Sequence, residues 1–225
     1  MKYLPLLLSA FLMIACASNP QAQGDIQASS YTVEPAKLSP KEKENLAVAT
    51  FAGGCFWCTE AVFEQVKGVK SVVSGYAGGS KANPTYKEVA AGKTDYAESI
   101  QIYFDEEEIS YQELLEIFFG THDPTQLNRQ GPDVGKQYRS EVFYHSDKQK
   151  QEVEQYMQKL SASGKYDDPI VTQVSAFEKF YDAEDYHQNY YEHNPDNPYI
   201  INVAEPKISK FKKNYSQYLK DDIKS

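Results

Sequence analysis

Between residues 46 and 176, short apolar runs of strand length alternate with helix-length segments, and this alternation restricts the chain to a small set of folds. The run at 46–52 ends in Gly53-Gly54, and a helix is expected over 57–67, closed by Gly68. Residues 69–76 are rich in Val and read as a second strand, broken by Ala77-Gly78-Gly79-Ser80. Pro84 is expected to open a short helix that Gly92 ends. Over 98–104 polar and apolar residues alternate, which puts Glu98 on one face with Ile100 and Ile102, the core side. Ser110 and Glu113 form a capping box ahead of Leu114, Leu115, Ile117 and Phe118, so a helix should run from there to Gly120. Residues 121–138 read as a long loop, and strands at 139–145 and 170–176 flank a polar helix at 147–160. The pattern is that of an α/β (α+β) chain whose mixed or parallel sheet is covered by helices. Crossover lengths alone leave its strand order open.

Of the 225 residues 41% are apolar and 13% aromatic, enough for one substantial core and against a disordered or fibrous chain. The formal net charge of −9 argues against nucleic-acid binding, and the Lys-rich stretch 207–213 reads as a solvated helix face. In that stretch and just beyond, Ile208, Phe211 and Tyr215 have the spacing of a short amphipathic helix packed on the domain.

The first fifteen residues join a basic Lys2 to the apolar run 4–15, the charge order of a secretory signal and too short to span a membrane as a mature helix. The run closes with Met13-Ile14-Ala15-Cys16, which resembles a lipoprotein cleavage box, so Cys16 is expected to carry lipid and anchor the chain to a membrane. Residues 16–45, rich in Ser, Gln, Pro, Lys and Glu, would then be a flexible tether. A bacterial envelope location on the periplasmic side follows from these two readings.

Only three cysteines occur, and with Cys16 assigned to lipid the remaining pair is Cys55 and Cys58. Both sit where a strand gives way to a helix, a position at which backbone N–H groups and the helix dipole favour a thiolate, so a lowered Cys55 pKa is expected. Taken alone, the spacing is ambiguous. In an exported chain two close cysteines can be a structural disulfide, and C-x-x-C also occurs in thioredoxin-like thiol-disulfide exchangers and in half of a zinc site. A zinc site would need a second ligand pair, and beyond these cysteines the chain offers only His122, His145, His187 and His193. No metal is expected.

A longer set of motifs narrows the reading. Gly54-Cys55-Phe56-Trp57 with Glu60, Gly75-Tyr76-Ala77-Gly78-Gly79, Asn83-Pro84-Thr85-Tyr86, Ala97-Glu98, His122-Asp123-Pro124-Thr125-Gln126, Gln137-Tyr138-Arg139-Ser140 and Ala183-Glu184-Asp185-Tyr186-His187-Gln188 resemble, in that order, the peptide-methionine (S)-S-oxide reductase family. The resemblance runs from about residue 47 to 200 and implies a two-layer sandwich with a mixed sheet and a ferredoxin-like core. It also implies reduction of the S epimer of methionine sulfoxide, free or in proteins, by a catalytic domain over 46–200 followed by an extension at 201–225. The implied roles are Cys55 as nucleophile, Glu98 as proton donor, Phe56 and Trp57 as walls of the methyl pocket, and Tyr86 and Tyr138 as hydrogen-bond donors to the sulfoxide oxygen. Asp133 matches a polar position that binds substrate or positions Tyr138, against a plain turn role beside Pro132.

These residue types suit the chemistry. A thiol that reduces a sulfoxide needs a thiolate, a proton for the departing oxygen and an apolar seat for the methyl group, and Glu98 can supply the proton near neutral pH only if burial raises its pKa. His187, set among aromatics, reads as structural. The resulting Cys55 sulfenic acid must be returned to thiol by a second thiol. Many relatives use a cysteine near the C-terminus, whereas this chain has none after Cys58, which leaves Cys58 as the candidate resolving residue. The expected reductant is an external thioredoxin-like protein, with no bound cofactor and a monomeric chain; the rival is a thioredoxin-like exchanger.

Overall fold

The computed structural model describes residues 38–223; the expected signal, the expected lipid site Cys16 and most of the expected tether lie outside them. The end of the tether region is more ordered than its composition suggests. Ser39 caps a helical turn, Pro40–Lys43, through a capping box with Glu42, and Lys43 Nζ reaches the Tyr103 hydroxyl at 3.2 Å.

A six-stranded mixed sheet follows, made of β1 (Ala47–Gly53), β2 (Val69–Ala77), β3 (Ala97–Phe104), β4 (Ser140–Tyr144), β5 (Gln173–Ala176) and β6 (Phe180–Asp182), in the spatial order β5-β4-β1-β3-β2-β6. Its central four strands are antiparallel in the order β4-β1-β3-β2, the split βαβ arrangement of a ferredoxin-like core, and only β4 and β5 run parallel. Five helices are used below: α1 (Phe56–Phe63), α2 (Tyr86–Ala90), α3 (Tyr111–Thr121), α4 (Asp147–Ala162) and α5 (Glu205–Asn214).

The core lies between the sheet and α1, α3 and α5. Phe51 of β1 stacks on Phe118 of α3 at 4.8 Å between ring centroids and meets Phe63 of α1 at 5.8 Å. Each such buried ring stabilises the fold by about 1.5–3 kcal/mol. The opposite sheet face carries a smaller apolar patch of Ala52, Ala77, Ala97 and Phe143. Along β3 the expected alternation holds, with Glu98, Ile100 and Ile102 all buried.

Several boundaries differ from the sequence reading. Helix α1 stops at Phe63 rather than Lys67, because Val66 bridges to Leu219 and the Lys67 N–H donates to the Tyr218 carbonyl at 2.7 Å. Helix α2 starts at Tyr86 rather than Pro84, since Thr85 and Glu88 form the capping box there. The loop at 121–138 contains a small hairpin, Arg129–Gln130 against Asp133–Val134, and a 3-10 turn, Lys136–Tyr138. Strand β5 begins at Gln173 rather than residue 170. After a π-helical turn, Ile200–Ala204, helix α5 buries Ile208 and Phe211 in the main core and ends at Asn214, leaving Tyr215 as its cap.

Candidate active site

Strand β1 ends in Gly53 and Gly54, and Gly54 adopts φ +96°, a conformation that L residues rarely take. A Cβ there would also lie 2.6 Å from Cβ of Gln130. This turn sets Cys55 at the N-cap of α1, where its carbonyl accepts from the Cys58 N–H at 3.2 Å. Both cysteines are free thiols, with relative exposures of 5% and 2%. The two thiols and the Tyr199 hydroxyl influence one another's ionisation, and that hydroxyl donates to Asp133 Oδ2 at 2.6 Å.

The electrostatics reverse one expectation. Burial pushes the Cys55 thiol well above its ordinary range, reinforced by the Cys58 sulfur and then by the Glu98 carboxylate. Removal from water outweighs the helix terminus in this free site. The neighbouring Cys58 is moved the other way, first by the hydrogen bond from Cys55 and also by the positive charge of Lys207.

Glu98 projects from β3 toward the start of α1, where its Oε2 accepts the Phe56 N–H at 3.1 Å. Burial holds its pKa at about 8, partly offset by that hydrogen bond, while Asp133 and Cys58 add to the rise. Near neutral pH the carboxyl is therefore mostly protonated, with Oε2 acting as the carbonyl oxygen and Oε1 left to carry the proton.

Aromatic rings close the rest of the site. Phe56 is fully buried and stacks with Tyr86 at 6.2 Å. Trp57 lies flat on Tyr190 at 3.8 Å and meets the edge of Tyr199 at 5.7 Å. The Trp57 Nε1–H donates to Nδ1 of His187 at 3.0 Å, and burial lowers the His187 pKa to about 4. A neutral imidazole that accepts at Nδ1 fixes the indole rather than acting as a base. Tyr86, whose backbone N–H donates to Glu184, and Tyr138, at the end of the 3-10 turn, both lie in the field of Glu98 and Cys55. Burial, with a smaller contribution from those two groups, pushes their hydroxyls upward, so both remain donors near neutral pH.

Cys55, Cys58, Glu98, Phe56, Trp57, Tyr86, Tyr138 and Asp133 thus converge on one end of α1. Residues 47–219 match the family described as peptide methionine sulfoxide reductase. The chain belongs to the peptide methionine sulfoxide reductase family. A member from Natronomonas pharaonis, peptide methionine sulfoxide reductase MsrA, is 53% identical over 171 residues, covering 76% of this chain and 96% of the relative. The MsrA of Leptospira borgpetersenii is 56% identical over 165 residues, covering 73% and 93%. Among solved structures, reduced Mxr1 from Saccharomyces cerevisiae superposes with a TM-score of 0.60 at 35% identity, over 72% of this chain and 91% of that one.

The activity of this reductase is the reduction of peptide-methionine (S)-S-oxide. Among its described residues no group of three or more His, Cys, Asp or Glu is arranged to hold a metal ion. Tyr190 and Tyr199, which line this methionine sulfoxide reductase site, were not singled out by sequence. The available signal was the Asn197-Pro198-Tyr199 turn, in which Asn197 Oδ1 accepts the Tyr199 N–H at 2.8 Å.

Proposed function

We propose that Cys55 attacks the sulfoxide sulfur while Glu98 delivers a proton to the departing oxygen, and that Cys58 then closes a disulfide with Cys55. The observation that carries this reading is a buried carboxyl, held near pKa 8, seated over the helix terminus that bears the thiol. In the first half-reaction the substrate S–O bond breaks and Cys55 becomes a sulfenic acid. The cysteine sulfur is oxidised by two electrons and the substrate sulfur is reduced by two; the sulfenic oxygen keeps the one proton that Glu98 delivers, and the thiol proton restores Glu98. Phe56 and Trp57 seat the methyl group, and the Tyr86 and Tyr138 hydroxyls hydrogen-bond the oxygen; Asp133 holds Tyr199 beside the sulfurs.

The second half-reaction returns Cys55 to the cycle. The placement of both free thiols in the first turn of α1, Cys55 at its cap and Cys58 three residues on, supports Cys58 as the resolving thiol, and an external thioredoxin-like protein would reduce the resulting disulfide. The Lys2 and Met13-Ile14-Ala15-Cys16 pattern supports a lipid-anchored protein of a bacterial envelope, where it would repair oxidised envelope proteins as a monomer. Two measurements test these readings. A chiral methionine sulfoxide assay with Cys55→Ser should show no turnover with the S epimer, and residual turnover at the wild-type rate would refute the nucleophile. Mass spectrometry of the membrane fraction should find acylated Cys16, whereas an unmodified, soluble N-terminus would refute anchoring.

A further inference from the structure

The 3-10 turn Lys136–Tyr138 is held from both sides of Tyr138 by buried neighbours, Gln137 and Arg139, while Tyr138 itself is half-buried. Gln137 Nε2 donates to the Ala90 carbonyl at 2.9 Å, which ties the turn to the end of α2, the helix that begins with Tyr86. Arg139 makes the larger set of contacts. Its Nη1 donates to the Lys136 carbonyl and to the Asp95 carbonyl, both at 3.1 Å, and its Nη2 to the Gly78 carbonyl at 3.4 Å. Its Nε donates to Glu141 Oε2 at 2.6 Å, and Glu141 Oε1 accepts from Ser175 Oγ at 2.7 Å. Gly78, at φ +74°, gives the guanidinium its room: a Cβ there would lie 2.6 Å from Nη2 and 2.8 Å from Cε1 of Phe143.

These contacts join three segments on which the site depends. Asp95 lies three residues before Glu98, Gly78 follows the last residue of β2, and Lys136 opens the turn that ends in Tyr138. The guanidinium lies beside Phe143, a member of the apolar patch on the sheet face away from α1, so it acts on the site only through the backbone it holds. Among the described residues the Tyr138 hydroxyl has no hydrogen-bond partner, which leaves its place to the backbone of the turn. We propose that Arg139 is a positioning residue: by bonding the Lys136 and Asp95 carbonyls with one nitrogen, it sets the Tyr138 hydroxyl against Glu98 so that both meet the same sulfoxide oxygen. The proposal rests on the reading of Tyr138 as a donor to that oxygen. Lys136 Nζ also bonds Asp95 Oδ1, at 2.7 Å, but that pair is exposed, and a solvated ion pair holds geometry weakly. Arg139 is only 8% exposed, and its planar fork fixes several donors at once, which a lysine ammonium does not reproduce. A donor displaced slightly by the loss of that fork gives a weaker hydrogen bond in the transition state while the fold stands.

A double-mutant cycle on the full chain tests this, read as the single-turnover rate of methionine release from the S epimer of a methionine sulfoxide peptide. Arg139→Lys keeps a positive charge beside Glu141 and loses the fork. It should slow release by about three- to tenfold, the scale of one weakened hydrogen bond. Tyr138→Phe should slow release by a comparable factor, and in that background Arg139→Lys should cost less than about a further twofold. The pH at which the Arg139→Lys rate declines should match wild type. Should Arg139→Lys unfold at a much lower urea midpoint, Arg139→Gln combined with Glu141→Gln repeats the cycle without leaving a buried carboxylate unpaired. Equal slowing with and without the Tyr138 hydroxyl would overturn the proposal, as would no slowing at all or a displaced pH of decline, and each of these leaves Tyr138 in its role. A Tyr138→Phe rate equal to wild type would instead remove Tyr138 from the sulfoxide oxygen, and the proposal with it.

Discussion

The Phe56 backbone N–H donates to Glu98 Oε2 at 3.1 Å, joining the first residue of α1 to the second residue of β3 across 42 positions of sequence. One contact therefore places the acid over the thiol, satisfies an otherwise free N–H of the helix terminus and fixes which carboxyl oxygen carries the proton.

Replacing Glu98 by Gln keeps an oxygen for the Phe56 N–H and removes the transferable proton. The rate of sulfenic acid formation in a single turnover should fall by roughly a hundredfold or more, with substrate binding little changed. In the wild type the same rate should decline as pH rises through about 8, where Glu98 ionises. A Glu98→Gln rate within threefold of wild type would remove Glu98 from the proton-donor role.

Glu98 also makes stability depend on pH. Its folded pKa, about 8, lies above the ordinary value of 4.5, so between those values the native chain binds more protons than the unfolded one. Stability should then fall as pH rises across that window, and Glu64, likewise raised to about 8 by burial, acts in the same direction. Urea midpoints at a series of pH values should show a shallower decline for Glu98→Gln; an identical slope would contradict the ionisation assigned here.

With one equivalent of substrate, Cys58→Ser should release one methionine per site and accumulate a dimedone-reactive Cys55. It should fail to cycle with a thioredoxin-like reductant. Cycling at the wild-type rate would make Cys58 a packing residue.

Tyr199→Phe deletes the hydroxyl that influences the ionisation of both thiols and leaves Asp133 without its 2.6 Å donor. Because that hydroxyl lowers the Cys55 pKa, the pH midpoint of Cys55 alkylation should rise, measured in a Cys58→Ser background. The single-turnover rate should fall by up to about tenfold, the scale of one hydrogen bond. An unmoved midpoint would leave Tyr199 as a wall residue only.

Gly54→Ala places a side chain at φ +96° and against Gln130. The expected loss is at least about 2 kcal/mol, readable as a lower urea midpoint with unchanged m-value. A loss below about 0.5 kcal/mol would show that the turn relaxes.

Much of the scaffold was legible locally. The Ser110 and Glu113 capping box marked the start of α3, and the parity of Glu98 with Ile100 and Ile102 put the carboxyl on the helix side of the sheet. What sequence hid was set by distant partners. The early end of α1 depends on Tyr218 and Leu219, and nothing near Lys67 announces them. Tyr199 is one of 18 tyrosines, and only folding brings it to the sulfurs. The Cys55 pKa was misread for the same reason: the helix terminus is visible in Gly53-Gly54-Cys55, whereas the burial that outweighs it comes from segments far along the chain.

The pairing of 65–67 with 218–220 has a consequence for biosynthesis. The Gln65 carbonyl accepts from the Lys220 N–H, Val66 bridges to Leu219, and Lys67 donates to Tyr218, so the end of the cysteine-bearing helix is completed by residues synthesised long after it. Contacts of such wide sequence separation form late. Until they form, two thiols that the finished fold keeps almost wholly from solvent lie open to premature oxidation, and the nascent chain carries its redox pair unshielded while the intervening segments are made.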